Sequence, residues 1–454
     1  MSHVKAHGPD VRRNGAHDRS TGQWAVTKAR ALKLFVTMVA LVLAALVVLL
    51  VMAHRPAIAP IARPDPRGFD PGAIARGANL ARLGNCVSCH QAAGGRPYAG
   101  GYPVKTPFGT IHGSNITPDA TTGIGGWSRT AFARAMREGV GRDGSHLYPA
   151  FPYTHYAGVT DGDIDALYAF LMTRPAVHAT PPANDLIPPL GFRPLLAGWK
   201  LLFFHPRPLG AVRSQSAAWN RGRYIGETLA HCSACHSPRG LLQQEKRGDA
   251  AYDGGWSGGW YAPPINPRSP AVRAWTPERL YAYFRTGLSR HHAAAAGPMG
   301  PVTYNLARAA PADVHALATY YAWWMRDAPA ARAEPPLPDR RALAERQHRA
   351  GARLYAGACA TCHEPGAPMV VAGRPVLPLG TPLHEDNPRD TIQIILQGLR
   401  PPVEASGPYM PAYADALTDR QIADIVGYLK ARHGTGPAWT DLEDKVAKAR
   451  KESR

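Results

Sequence analysis

Tyr224 to Gly240 reads YIGETLAHCSACHSPRG, and within it Cys232, Cys235 and His236 form a C-x-x-C-H pentapeptide. That spacing is the attachment pattern of a c-type haem. On a helical turn, residues three and four apart share a face, so two thiols can bond to the haem edge while the imidazole reaches the iron. The pentapeptide recurs as CVSCH at Cys86, Cys89 and His90, and as CATCH at Cys359, Cys362 and His363. All six cysteines of the chain are used in this way. A thioredoxin-like motif needs one such site in a βαβ setting, and a zinc site more naturally joins two C-x-x-C pairs than repeats an adjacent histidine three times. The reading is therefore three covalent c-type haems and no structural disulfide.

The chain of 454 residues is long enough for about three ordinary domains. Its 45 glycines and 44 prolines suit loops wrapped around cofactors. Leu34 to Ala53, LFVTMVALVLAALVVLLVMA, is an uncharged run of 20 residues, the length at which a helix crosses the hydrocarbon core. A secretory signal has a shorter apolar region, and Pro60 directly after Ala57-Ile58-Ala59 makes that stretch a poor cleavage site. Residues 1–33 carry seven basic side chains against Asp10 and Asp18, which assigns them to the cytoplasm by the positive-inside rule. The expectation is an anchor at 34–53 in the inner membrane, with everything beyond Arg55 on the periplasmic side. Five of the +19 formal charges fall on the leading segment, leaving +14 on the exported part. That topology argues against nucleic acid and for lipid headgroups or an acidic redox partner.

Two helical patterns frame each pentapeptide. Before them stand RGANLARLGNCVSCH, RGRYIGETLAHCSACH and RAGARLYAGACATCH, with the glycine offset slipping by a residue or two. After them come TDGDIDALYAFL from Thr160, APADVHALATYY from Ala310 and TDRQIADIVGYL from Thr418, each with apolar residues on one helical face. Thr160 and Thr418, with Asp163 and Gln421 three residues on, resemble capping boxes, and Pro311 suits a first helical turn. The chain is an internal triplicate, with units at 71–173, 216–326 and 342–433. Between them lie a Pro-rich linker at 174–215 and a charged Pro/Ala spacer at 327–341, and a charged tail at 434–454 reads as a solvated helix. The Leu195–Phe204 patch in the first linker is too short to span a bilayer, and is either packed core or an interfacial or partner-facing helix.

Iron needs a ligand on its second face, and a thioether there raises the reduction potential. Outside the initiator and the anchor, the methionines are Met136, Met172, Met299, Met325, Met369 and Met410. Met299 in GPMGPV and Met410 in PYMPAY stand at corresponding places in the second and third units, in loops where Gly and Pro argue against core filling. The first unit has HLYPAFPYTHY there, so Phe151 takes the methionine's place and His155 becomes the candidate ligand, with His146, Met136 and Met172 as further alternatives.

These residues carry a resemblance. TPFGTIHGSNITPDATTGIGGWS, HLYPAFPYTHY, GFRPLLAGWKLLFF, GPMGPV and YMPAYADALTDRQIADIVGYL resemble the membrane-bound three-haem cytochrome c subunits of bacterial periplasmic dehydrogenase complexes serving alcohol, gluconate, aldehyde and nicotinate oxidation. The likeness covers nearly the whole chain after the anchor. It implies a mainly α protein with three class I cytochrome c domains in tandem behind one N-terminal transmembrane helix. It further implies electron transfer without substrate chemistry, from a flavin, quinoprotein or molybdenum hydroxylase partner to ubiquinone, a terminal oxidase or a soluble cytochrome. Phe151 resembles the subset paired with molybdenum hydroxylases of the nicotinate or isoquinoline type. The competing reading is a haem enzyme of peroxidase type, with an open face on the first haem beside Phe151. Deleting residues 1–54 and supplying a cleavable export signal is expected to give soluble haem protein. A product that still sediments with membranes would place the attachment at Leu195–Phe204 or on a partner.

Overall fold

The computed structural model describes residues 19–206, 209–399 and 409–453. The N-terminal part, up to His54, is a unit of its own, built on a helix from Arg19 to Ala53. Its stretch Arg30–Ala53 is 24 residues long and apolar enough to cross a membrane. Leucines, valines and methionines face outward along it, as they do on a helix whose solvent is lipid.

The remaining unit, from Arg55 onward, is organised by three crossings of an opening helix with a closing helix. Pro71–Leu83 crosses Asp161–Met172, Ala217–Tyr224 crosses Pro311–Trp324, and Arg349–Ala358 crosses Asp419–His433. The starts are fixed chemically. Asp70 accepts from the amide of Ala73 ahead of Pro71, Ser216 accepts from Trp219, and Pro311 opens its helix as the sequence suggests. Thr418 and Gln421 form the reciprocal capping box. Thr160 makes only its own half of such a box, because the Asp163 carboxylate turns away to Arg76 Nε at 2.7 Å and the Tyr224 hydroxyl at 2.6 Å.

At each crossing the opening helix presents a glycine. A Cβ on Gly77 would lie 1.9 Å from the Ala166 carbonyl oxygen, one on Gly222 1.9 Å from that of Ala316, and one on Gly351 2.0 Å from that of Asp424. Only a hydrogen atom fits there, so the two backbones touch. The slip seen in the sequence is absorbed downstream of these glycines. Gly77 lies nine residues before Cys86, Gly222 ten before Cys232 and Gly351 eight before Cys359. The long version contains a π-helical turn at Ile225–Leu229, closed by the Ala230 amide on the Ile225 carbonyl at 2.8 Å.

The first two repeats share one apolar core, in which Leu80, Ile164, Leu167 and Phe132 pack with Ile225, Leu229, Leu317 and Tyr321. The third has its own, built on Tyr355, Ile392, Ile422, Val426 and Tyr428. The segments between and after the repeats are docked. Asp185–Leu186 pairs antiparallel with the hairpin Pro103–Thr106/Gly109–His112 as a third strand. The apolar patch forms a helix, Leu195–Phe203, that divides its two readings: Ala197 and Lys200 are buried, and Leu201 and Leu202 are each 61% exposed. In the spacer, Glu334 pairs with Arg273 and Arg279, and Asp339 with Arg432. The tail corrects its reading as a solvated helix. In Leu442–Ser453, Val446 and Ala449 are fully buried and Arg450 holds Asp419 at 2.7 Å.

The third repeat meets the second through the hairpin Gly255–Ser257/Trp260–Ala262. The Tyr261 amide donates to Asp390 at 2.9 Å, and Arg389 Nε donates to the Gly259 carbonyl at 2.6 Å. Beside this junction Glu385 is buried, and neither of its carboxylate oxygens has a hydrogen-bond partner among the described residues. Burial, with the charge of Asp390 adding to it, pushes Glu385 up to about 9, and burial pushes Asp390 up to about 6.

Two outcomes are expected. Gly351→Ala should destabilise the third repeat by about 1–3 kcal/mol or more, measured by denaturant unfolding, because the new methyl meets backbone rather than a movable side chain. Folded Glu385 and Asp390 bind their protons more tightly than the unfolded chain does, so stability should fall as pH rises from the ordinary carboxyl range through about 6 and then about 9. Glu385→Gln should flatten that decline and gain at least about 1 kcal/mol near pH 8, since one pKa unit is worth about 1.4 kcal/mol. An unchanged slope would remove Glu385 as its source.

Candidate functional site

Each pentapeptide folds as one helical turn: Cys86–Cys89, Ser233–His236 and Ala360–His363. The first two are entered through a left-handed residue, Asn85 at φ 49° and His231 at φ 38°, which breaks the opening helix and re-aims the chain. His90 Nδ1 lies 2.7 Å from the Ser114 carbonyl oxygen, and His236 Nδ1 lies 2.7 Å from that of Pro263. A carbonyl can only accept, so in both rings Nδ1 carries the proton and Nε2 keeps a lone pair for a metal. Burial lowers the pKa of His90 and of His236, which holds the imidazoles neutral. Burial lowers that of His363 as well, although its ring has no carbonyl partner among the described residues.

The thiols show what kind of space they face. Cys89 is exposed by area, yet burial pushes its thiol up to about 11. Its surroundings are dense although part of its surface is open. Burial raises Cys86 and Cys232 to about 12 and Cys359 to about 11. Thiols held protonated in this way are unsuited to thiolate–zinc or redox-exchange chemistry. Among the described residues no three His, Cys, Asp or Glu side chains converge as a metal cluster. The surround is aromatic: Tyr98 and Tyr156 stand beside Cys86, Tyr252 and Tyr321 beside Cys232, and Tyr413 beside Cys359 and Cys362. Two neutral thiols, one directed imidazole and flanking tyrosines fit a covalently held haem at the first and second pentapeptides. The third pentapeptide supplies the same donors with the histidine less firmly oriented.

The second-face candidates separate clearly. Met299 is half-buried at the start of the helix Met299–Leu306, next to Pro298, whose Cγ is 4.0 Å from the Cβ position of Gly258. The same hairpin brings Ser257 Oγ to 3.3 Å from Cys235 Sγ, so Met299 and the second thiol pair border one hairpin. Met410 is half-buried against the third core, and its carbonyl accepts from the Leu399 amide at 2.9 Å. Tyr413, three residues on, flanks the third thiol pair. Phe151 packs 5.3 Å from Tyr156, on the side of the first thiol pair.

His155, the candidate ligand of the first site, is engaged elsewhere in this structure. Its Nδ1 lies 2.9 Å from the Glu227 carbonyl and its Nε2 is 2.9 and 3.0 Å from the two oxygens of Glu245, so both ring nitrogens are committed to the second repeat. Burial opposes a charge on His155, but Glu245 outweighs it and raises the imidazole; burial likewise opposes Glu245, which His155 and Arg239 nevertheless hold down to about 2. The buried pair is a bridge between repeats. His146 lies beneath the linker helix with Nδ1 2.9 Å from Lys200 Nζ, and Met136, Met172 and Met325 are core residues. Sequence reasoning missed Glu245, Glu227 and Asn305, which have no motif of their own. The matched pairs Arg76–Asp163 and Arg221–Asp313 had a signal, since in both repeats the arginine directly precedes the crossing glycine and the aspartate lies three residues beyond the N-cap of the closing helix.

Known proteins place this arrangement. A family model described as Cytochrome c matches residues 74–175, and one described as Cytochrome C oxidase, cbb3-type, subunit III matches residues 346–429. The chain is 41% identical to a nicotinate dehydrogenase subunit of Pseudomonas putida over 87% of its own length, and spans about a third, 33%, of that longer protein. It is 36% identical to the gluconate 2-dehydrogenase cytochrome c subunit of Pantoea cypripedii, covering 84% of this chain and 90% of the relative. A diheme cytochrome c-type protein of Cereibacter sphaeroides is 36% identical over 55% of this chain and 85% of the relative. The peroxidase-type alternative finds no support among these relatives.

Proposed function

The chain belongs to the cytochrome c subunits of dehydrogenase complexes, the electron-transfer part and not the substrate-oxidising part, and from that premise we propose that it carries three covalent haems in three class I cytochrome c domains. The observation that carries the count is the pentapeptide repeated three times, each copy on a helical turn set by a glycine crossing. A bound haem supplies a one-electron iron couple. The chain's own residues do the rest. Cys86 and Cys89, Cys232 and Cys235, and Cys359 and Cys362 would hold the haem edges, His90 and His236 would present Nε2 to the iron, and His363 would supply the imidazole at the third site. Met299 and Met410 complete the second and third sites with a soft thioether that favours the reduced metal. Phe151 offers no donor at the first.

We infer the partner to be a periplasmic dehydrogenase of the hydroxylase type that nicotinate oxidation uses. This is supported by the relative that bears nicotinate dehydrogenase in its name and by Phe151. The acceptor is ubiquinone, a terminal oxidase or a soluble cytochrome. The anchor Leu34–Ala53 would hold the haem units on the periplasmic face of the inner membrane, where a basic exported surface speeds association with an acidic partner.

A pyridine haemochrome assay should return three haems per chain, retained with the protein in acidified organic solvent; fewer, or extractable haem, would overturn the count. A redox titration should resolve one low-potential and two high-potential components. Met299→Ala and Met410→Ala should each lower one high potential and remove one share of the weak sulfur-to-iron band at the red edge of the ferric spectrum. Three shares in the unaltered protein would refute the assignment of the first site.

A further inference from the structure

The opening helices of the first two repeats carry the same string, Arg76-Gly77 and Arg221-Gly222, and the side chain two residues after each glycine crosses to the other repeat. Asn79 Nδ2 donates to Asp313 Oδ2 at 2.7 Å, and its Oδ1 accepts from the Ala310 amide at 2.7 Å. The Tyr224 hydroxyl donates to Asp163 Oδ2 at 2.6 Å and accepts from the Thr160 amide at 3.1 Å. The residues correspond one to one, because Thr160 and Ala310 are the N-caps of the two closing helices and Asp163 and Asp313 lie three residues beyond them. Each aspartate gives its other oxygen to its own repeat, Asp163 Oδ1 to Arg76 at 2.6 Å and Asp313 Oδ1 to Arg221 at 2.8 Å. Reciprocity of this kind is the mark of an isologous contact, made here inside a single chain.

The contact encloses the turns that lead into two attachment sites. A Cβ on Gly84 would lie 3.3 Å from Cys86 Sγ and 3.5 Å from the Leu229 carbonyl oxygen, so the segment entering the first pentapeptide rests on the one entering the second. Asn305 Nδ2 donates to Asn85 Oδ1 at 2.6 Å, and the Tyr156 ring stands 5.9 Å from that of His231.

We propose that Asn79 and Tyr224 are positioning residues for electron transfer: through Asp313 and Asp163 they fix the gap between the first and second attachment sites. The proposal rests on the three-haem reading. Its test uses the full haem-loaded chain, with Tyr224→Phe, which removes one hydroxyl, and Asn79→Ala, which removes the opposite arm. Haem content by pyridine haemochrome, individual potentials, exciton splitting of the Soret circular dichroism, and intramolecular electron exchange after flash injection are compared with the unaltered protein. The expected result is full haem content and unchanged potentials, with loss of splitting and a severalfold slower exchange in each variant. A lower melting temperature with splitting and exchange both unchanged would overturn the proposal and leave the contact as a brace alone. The arms are chemically independent, so if one variant fails to accumulate, the other decides. Fewer than three haems in the unaltered chain would overturn the underlying reading before any variant is compared.

Discussion

The structure depends on backbone meeting backbone at three glycines. At Gly77, Gly222 and Gly351 the facing carbonyl occupies the place where any side chain would begin, so the opening and closing helices interlock at one register only. That register matters because each pentapeptide follows its glycine by eight to ten residues, and the closing helix carries the aromatic that packs at the same crossing: Phe170, Tyr320 or Tyr428. Loops of very different length and composition can then be hung between the two helices without disturbing where the thiols stand.

Polar groups decide how the repeats are joined. Between the first and second, a shared apolar core is pinned by carboxylates that each serve two donors, and by the buried His155–Glu245 pair. Removing one member of such a set would strand a charge in a dry place, which makes the set more costly to break than its net worth suggests. The second-to-third junction is of another kind. It uses a hairpin edge, hydrogen bonds to it and carboxyl groups held above their ordinary range, and each side keeps its own core.

Periodicity and punctuation reveal the helices, because the apolar stripes and the caps at Thr160, Thr418 and Pro311 act over a few residues. The pentapeptides are legible for the same reason. What escapes is what depends on a distant neighbour. Asp163 has the spacing of a cap partner, but Arg76 and Tyr224 compete for it from outside the helix. The charged tail has the composition of a solvated helix, yet Val446 and Ala449 suffice to dock it. His155 has the chemistry of a ligand, and only the fold shows that both its nitrogens are taken from another repeat.

The π-helical turn at Ile225–Leu229 has a consequence for the pair of repeats as a whole. An added residue in an α-helix swings everything after it by about 100°. Here the widened turn takes up that swing, and the left-handed His231 follows at once. The Glu227 carbonyl in this turn accepts from His155, and its carboxylate accepts from Tyr252. The first repeat, one residue shorter, has no such turn to offer in return. An arrangement that would otherwise be symmetric is thereby given a head and a tail, and two pentapeptide turns of common design become inequivalent through one inserted amino acid.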